Sequence, residues 1–287
     1  MGLFSDLSAL GVEDCESIEI YSESRDHIEK KQKKKALADS EFLFKKNMDC
    51  PCCGIDFEAF VVRGGKLTPL GIDDDLRPLF EEMDPLKYDA VICPICGYAA
   101  FLKNFDNVTP IQKKKVGETV TPYYSGITHE GYSYSYDDAI LRYKMVLYND
   151  IVGYGQNSRR AYTCLKLSWI IRGKLEFEGD DMDMRERKYL EADEYECILK
   201  AFEGFELADN KEKYPICGMD EPTFNYLLAR LAFKLCKYDK AIRYAYKVIG
   251  YQGANAKIKN MALELKYQIR KIIPINDDDE YEYENYN

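Results

Sequence analysis

Two short cysteine motifs constrain the fold of this 287-residue chain more than any other feature of its sequence. The first, Cys50-Pro51-Cys52-Cys53-Gly54, and the second, Cys93-Pro94-Ile95-Cys96-Gly97, share the pattern C-P-x-C-G. Two cysteines separated by two residues can direct both thiolates toward one ion, and the following glycine readily adopts the positive φ of a tight turn. Together the motifs predict a closed tetrahedral Zn²⁺ site whose ligands are Cys50, Cys53, Cys93 and Cys96.

Four protein ligands leave no coordination position for water, so the predicted site is structural rather than catalytic. Iron could occupy the same four thiolates in a rubredoxin-like site. A lone C-x-x-C pair could instead be a thioredoxin-like dithiol, but such a motif should open a helix, whereas Ile55 to Val62 alternates like a strand. We treat Cys52 as a non-ligand, because two adjacent cysteines cannot chelate an ion in the same way.

The residues around the motifs favour a zinc ribbon over residues 42–130. One face of the strand that follows the first motif is apolar, and Tyr88 to Ile92 is typical of a second strand that runs into the second motif. Between Cys53 and Cys93 lie 39 residues, more than the spacing of about 15–20 that is usual in ribbons. We therefore expect an insertion around Gly64 to Leu86.

The hydrophobic spacing changes to that of helices in residues 131–273, where strand patterns are absent. This part predicts an all-α antiparallel stack, which makes the whole chain an α+β protein. The expected helices cover about 137–149, 161–171, 186–208, 224–235, 241–248 and 256–272.

Two tetrapeptides in this helical part resemble one another. Tyr136-Asp137-Asp138-Ala139 and Tyr238-Asp239-Lys240-Ala241 begin 102 residues apart, which is three times the 34-residue tetratricopeptide period. The positions one and two periods after Tyr136 match the repeat poorly. The pattern therefore indicates tetratricopeptide-like helical hairpins with one good repeat and degenerate neighbours. An unrelated helical bundle is the alternative.

The two ends of the chain are polar. Residues 1–41 form an N-terminal segment and charged linker that contains the basic run Lys30–Lys35, and residues 274–287 have the composition of a disordered acidic tail. The first residues lack the basic and apolar regions of a secretory signal, so we expect a cytoplasmic protein, in which paired cysteines more often bind metal than form disulfides. No apolar run reaches the length of a membrane helix.

The charge and composition of the chain disfavour two classes of function. Fifty acidic residues against 40 basic ones give a net charge of −10, which disfavours the nucleic-acid binding that a zinc ribbon otherwise suggests. Only two histidines, His27 and His129, are present, and the common catalytic motifs are absent, so no enzyme is predicted. His129 is expected in a surface loop.

The leading functional hypothesis is a cytoplasmic adaptor that binds protein partners through its helical repeats, with zinc as a structural cofactor. Nucleic-acid binding by the ribbon and the Lys30–Lys35 run is the first alternative. A thiol redox role for Cys52, beside the predicted zinc thiolates, is the second.

The chain resembles the bacterial domain-of-unknown-function family 2225 (DUF2225) over nearly its whole length. The resemblance implies a zinc-ribbon-like N-terminal part and a helical-repeat C-terminal part, and it implies no activity. Cys52 departs from the family pattern, and Pro215–Gly218 looks like half of a cysteine motif whose lone Cys217 favours a turn over a further ligand. The residues that carry the resemblance are Met1–Ser5, Glu41–Phe44, the first motif, Gly71–Pro78, Asp84–Asp89, Cys93–Ala100, Tyr134–Ala139 and Pro215–Glu221.

Overall fold

The computed structural model describes residues 39–129 and 131–273. The Lys30–Lys35 run and the predicted acidic tail lie outside the described residues, so the expectations for them are not tested here. The described chain mixes small antiparallel sheets with helices, which confirms the α+β class.

Three two-stranded antiparallel hairpins precede most of the helices. The sequence predicted the second and the fifth of these strands. The fifth is shorter than expected, because residues 85–88 form a 3₁₀ turn that starts where Asp84 accepts a hydrogen bond from the backbone N–H of Leu86. The strands are β1 (Leu43–Asp49) with β2 (Asp56–Val62), β3 (Pro69–Ile72) with β4 (Pro78–Phe80), and β5 (Ala90–Ile92) with β6 (Ala99–Phe101).

The helices follow the predicted positions, and most extend a few residues beyond them. The short first helix was not predicted. Among the described helices, none combines the length and the apolar character that crossing a membrane requires. They are α1 (Pro110–Lys115), α2 (Tyr136–Val152), α3 (Asn157–Glu178), α4 (Met184–Asp209), α5 (Glu221–Lys234), α6 (Tyr238–Gly250) and α7 (Ala256–Ile272).

Side-chain caps set where several helices begin. Ser135 and Asp138 form a capping box at the start of α2, in which each side chain accepts from the other residue's backbone N–H. Asp220 caps α5 by accepting from Thr223 N–H. Consecutive helices from α2 to α7 contact one another, and α5 also contacts α7. The tetratricopeptide-like arrangement and the predicted domain boundaries stay predictions.

The β5–β6 hairpin is a wall shared by two hydrophobic cores. Ala90, Ile92, Ala99 and Phe101 face the large core of the helices. Val91 and Ala100 point to the opposite side and pack in a smaller core that contains Cys93 and Cys96. This alternation follows from the two-residue period of a strand, and it ties the cysteine region directly to the helical part.

The β3–β4 hairpin lies within the expected insertion, and the loop at its tip, residues 73–77, docks on the helices. The Asp75 carboxylate is fully buried and pairs with Arg172 of α3 and Lys234 of α5, both at 2.7 Å. Arg77 donates to Asp73 within the loop and to Glu176 of α3. The negative charge of this loop is thus partly neutralised by cations of α3 and α5.

Candidate metal centre

The first cysteine motif forms the turn between β1 and β2. Cys50 N–H donates to the carbonyl of Ile55 at 3.0 Å, and Gly54 N–H donates back to the carbonyl of Cys50 at 2.8 Å. Gly54 has a φ of +74°, a conformation that favours glycine. The turn therefore holds Cys50 and Cys53 on the same side of the hairpin end.

The second motif repeats this turn between β5 and β6. Cys93 N–H donates to the carbonyl of Tyr98 at 2.8 Å, and Gly97 N–H donates to the carbonyl of Cys93 at 3.2 Å. Gly97 has a φ of +72°. Two copies of one local geometry, built from the same C-P-x-C-G pattern, thus present two pairs of thiols.

The two turns face one another and bring the four predicted ligands together. The Sγ atoms of Cys50 and Cys96 lie 3.5 Å apart, and those of Cys53 and Cys93 lie 3.6 Å apart. All four sulfur atoms are within 4.8 Å of one another. A Zn–S bond of about 2.3 Å places the sulfurs of a tetrahedral site about 3.8 Å apart. The donor set therefore fits a four-thiolate metal ion, and the separations are far longer than a disulfide bond of about 2.05 Å.

The cluster is enclosed on most sides. Cys50, Cys93 and Cys96 are buried, whereas Cys53 is exposed. Beside the cluster, the small core packs Met48, Val91, Phe105 and Val116 together with the cysteines. This apolar surround keeps water from three of the four thiols, which suits a structural site better than a catalytic one.

The neighbouring thiols shift one another's pKa values. Hydrogen bonds from Cys52, Cys93 and Cys96 lower the pKa of Cys50 below its usual range. The same contacts raise the pKa of Cys96, and the interaction with Cys50 raises that of Cys93 to about 11. One negative charge is thus stabilised by its neighbours, and further charges are opposed. A bound cation would remove this opposition and permit all four thiolates.

Backbone and side-chain contacts hold the second turn in place from outside. Thr121 Oγ1 donates to the carbonyl of Cys96 at 2.9 Å, and Asn149 Nδ2 of α2 donates to the carbonyl of Gly97 at 3.1 Å. The Gly97 position leaves no space for a side chain, because a Cβ there would lie 2.7 Å from Cγ of Tyr124. The helical part thus fixes the position of Cys93 and Cys96.

Cys52 lies beside the cluster and outside it. It is half-buried and is not one of the four clustered cysteines. Its hydrogen bond to Cys50 and its burial raise its thiol pKa above the usual range. A thiol in this position donates to a ligand sulfur, and a raised pKa does not favour a reactive thiolate.

Other residues that the sequence singled out lie elsewhere. Cys217 has a φ of +50° in a turn closed by an Ile216–Met219 bridge, and its Sγ contacts the carbonyl of Ser158 at 3.4 Å. Within the described residues, the group Cys50, Cys53, Cys93 and Cys96 is the one cluster whose atoms could hold a metal ion. His129 lies in a loop, as expected, where it is half-buried and lines a cavity.

The fold and the cluster define an α+β protein in which a four-cysteine cluster joins two β-hairpins beside a helical stack. The family model described as "Uncharacterized protein conserved in bacteria (DUF2225)" matches residues 43–269, and the chain belongs to this family. This confirms the resemblance seen in the sequence. A search among curated proteins and a search among solved structures both return no match.

Proposed function

We propose that the four cysteines bind one Zn²⁺ ion with a structural role. The observation that carries this proposal is the convergence of four Sγ atoms within 4.8 Å of one another on two turns of the same geometry. Binding would offset half of the charge of the four thiolates and join the β1–β2 hairpin to β5–β6. Structural zinc contributes about 10–16 kcal/mol of apparent binding free energy in small peptides, so the ion would dominate the stability of this region.

We further propose that the zinc-stabilised chain is an adaptor that binds a protein partner through its helices. The support is a row of large apolar side chains on α2, where Leu141, Tyr148 and Ile151 are 50%, 42% and 49% exposed. Their spacing of seven and three residues places them on one face of the helix. Contiguous exposed apolar groups mark interaction surfaces more often than isolated ones do.

The charge beside this row indicates the chemistry of the partner. Lys144 of α2 pairs with Asp193 of α4 at 3.6 Å, so α4 lies next to the row. Glu196, one turn beyond Asp193, is exposed. The whole chain carries a net charge of −10. We therefore propose a protein segment with apolar and basic side chains as the partner.

The α5–α6 pair supports a tetratricopeptide-like hairpin within this adaptor. The two helices have 14 and 13 residues, and residues 235–237 join them. Ala241 is fully buried where α6 approaches its neighbours. The first residues of α5 and α7 are 35 positions apart, close to the repeat period of 34. Helices α3 and α4 have 22 and 26 residues, so the proposal is confined to α5–α7.

Affinity capture with the full chain tests the adaptor proposal. The bait variant Leu141→Glu/Tyr148→Glu places charge on the α2 row, and Leu263→Glu/Tyr267→Glu makes the same change at exposed positions of α7. We expect the α2 variant to lose the proteins that the native chain captures and the α7 variant to keep them. Equal capture by both variants would contradict the proposal.

Two further measurements test whether nucleic acid or a second copy of the chain, in place of a protein partner, binds the α2 row. Nuclease treatment of the lysate would abolish capture if nucleic acid mediated it, and that result would favour the nucleic-acid alternative. Light scattering after gel filtration would reveal self-association. A dimer that the α2 variant disrupts would assign the row to a second copy of the chain and would overturn the partner proposed here.

A further inference from the structure

A cavity of about 180 Å³ lies between the β1–β2 hairpin and α2. We call it the Arg142 cavity. A basic residue, a histidine and aromatic rings all border it, and none of them belongs to the cysteine cluster. Its lining includes Phe60, Val91, Ile92, His129, Tyr134 and Arg142.

Arg142 is the unusual member of this lining. It is 5% exposed, and its guanidinium lies 3.8 Å from the ring centroid of Tyr134. The Nε atom is buried without a hydrogen-bond partner. Among the residues that the structure describes, no carboxylate forms an ion pair with Arg142. Arg77, which is equally buried, is by contrast paired with Asp73 and Glu176.

An unpaired buried cation is unfavourable. Removing a guanidinium from water carries a large desolvation penalty, and a single aromatic ring returns only part of it. Proteins retain such a group where it meets a counter-charge. The acid that lines the cavity, Glu58, pairs with Lys45 and not with Arg142, so the geometry calls for an anion from outside.

The rest of the lining suits an anion. The Nε2 atom of His129 is also buried without a hydrogen-bond partner, while its Nδ1 atom lies 3.6 Å from Asp138. Lys45 stands at the exposed edge of the cavity, where it pairs with Glu58 at 3.0 Å. The rings of Phe60 and Tyr134 pack against the imidazole edge to face. The guanidinium of Arg142, the ammonium of Lys45 and apolar walls therefore converge on one space.

We infer that the Arg142 cavity binds the oxyanion group, phosphate or carboxylate, of a small molecule. The planar fork of an arginine matches the geometry of either group. The cavity of about 180 Å³ is well above the roughly 10–15 Å³ that a single water needs, so it has room for an oxyanion group. The lining contains none of the four clustered cysteines and none of the three residues of the row on α2.

Titration of the full chain with anions tests this inference. Inorganic phosphate and succinate are the two probes, each compared with sodium chloride at equal ionic strength, and isothermal calorimetry measures binding. We expect at least one probe to bind at a single site. Arg142→Met removes the charge and keeps an apolar side chain of similar length, and it should weaken binding at least tenfold, the range for loss of a charged hydrogen bond.

Two variants control this experiment. Arg187→Gln removes an exposed arginine on α4 that lies outside the cavity, and it should leave the affinity unchanged. Arg142→Lys keeps the charge without the planar fork and should bind with an intermediate affinity. If Arg187→Gln weakens binding as much as Arg142→Met, the effect is one of general charge, and the inference is wrong.

Thermal unfolding distinguishes a binding role of Arg142 from a purely structural one. Without probe, Arg142→Met should unfold at the native temperature or above it, because the variant removes an unpaired buried charge. The stabilisation that the probe gives to the native chain should be absent from the variant. Absence of binding by either probe, or equal probe stabilisation of the two proteins, would overturn the inference and leave the cavity to water.

Discussion

Asp75 and Arg172 form a buried ion pair, 2.7 Å between Oδ2 and Nη2, that joins the tip of the β3–β4 hairpin to α3. Lys234 of α5 adds a second cation to the same carboxylate. Removing one member of a buried pair leaves the other charge without compensation. The hairpin tip is therefore held in part by a carboxylate that solvent does not reach and by two cations that are largely buried.

We expect Asp75→Asn to lower the free energy of unfolding by about 3–5 kcal/mol, because Arg172 and Lys234 then lose their buried counter-charge. Urea unfolding measures this change. Asp74→Asn is the matched control, since the side chain of Asp74 is 63% exposed and pairs with Arg230 at the surface. Its effect should stay within about 1 kcal/mol. Equal losses in the two variants would contradict the special role of Asp75.

The same carboxylate makes stability depend on pH. Burial raises the pKa of Asp75, but the hydrogen bond and charge of Arg172 and the charge of Lys234 outweigh burial and hold the pKa below its usual range. A carboxyl whose pKa is lower in the folded state stabilises the fold at pH values above its unfolded pKa of about 3.9. That contribution is lost as the pH falls below about 4.

Urea unfolding between pH 6 and pH 3 checks this pH dependence. The native chain should lose stability toward pH 3 more steeply than Asp75→Asn, which has no carboxyl to protonate at this position. Other acids affect both proteins alike, so the difference between the two curves isolates Asp75. Parallel curves would show that Asp75 does not carry the predicted effect.

Elemental analysis should find one zinc ion per native chain. We expect Cys93→Ser to lose the metal, because a hydroxyl replaces one of the four thiolates. Cys52→Ser changes a neighbouring thiol that lies outside the cluster, so it should keep the metal in full. Loss of zinc from Cys52→Ser would refute the assignment of ligands, and iron in place of zinc would favour the rubredoxin-like alternative.

The two motif glycines provide a matched pair of substitutions. Gly54 and Gly97 have φ values of +74° and +72°, so alanine at either position carries a backbone penalty of about 1–2 kcal/mol. Only at Gly97 would the added Cβ also meet Tyr124, at 2.7 Å, whereas nothing lies within 4 Å of it at Gly54. Thermal unfolding should show the larger loss for Gly97→Ala, and a reversed order would contradict this packing argument.

The sequence alone predicted the features that depend on a few neighbouring residues, namely the cysteine cluster and the last helix. The C-P-x-C-G motifs identified the four clustered cysteines, because the turn that pairs each two thiols is encoded within five residues. The last helix was predicted over Ala256 to Ile272 and has these bounds in the structure. In such segments the hydrophobic period follows the buried face directly.

Long-range contacts explain what the sequence did not reveal. Strand β1 was not predicted from the sequence. Five of its seven residues are exposed, so apolar and polar residues hardly alternate along it. Asp75 belongs to an acidic run that resembles solvated surface, yet its cationic partners follow it by 97 and 159 residues. The burial of Arg142 likewise depends on rings and strands that only the folded chain brings beside it.

Because the residues of β5–β6 alternate between two cores, the protein cannot be cut beside this hairpin without exposing apolar side chains. Alternate residues of the hairpin complete two cores at once, so a cut on either side of it leaves one core without a wall. A fragment that ends near residue 130 would present Ile92 and Phe101 to water, and a fragment that begins there would lack them. The half that holds the cysteine cluster and the helical half are therefore expected to unfold in a single transition.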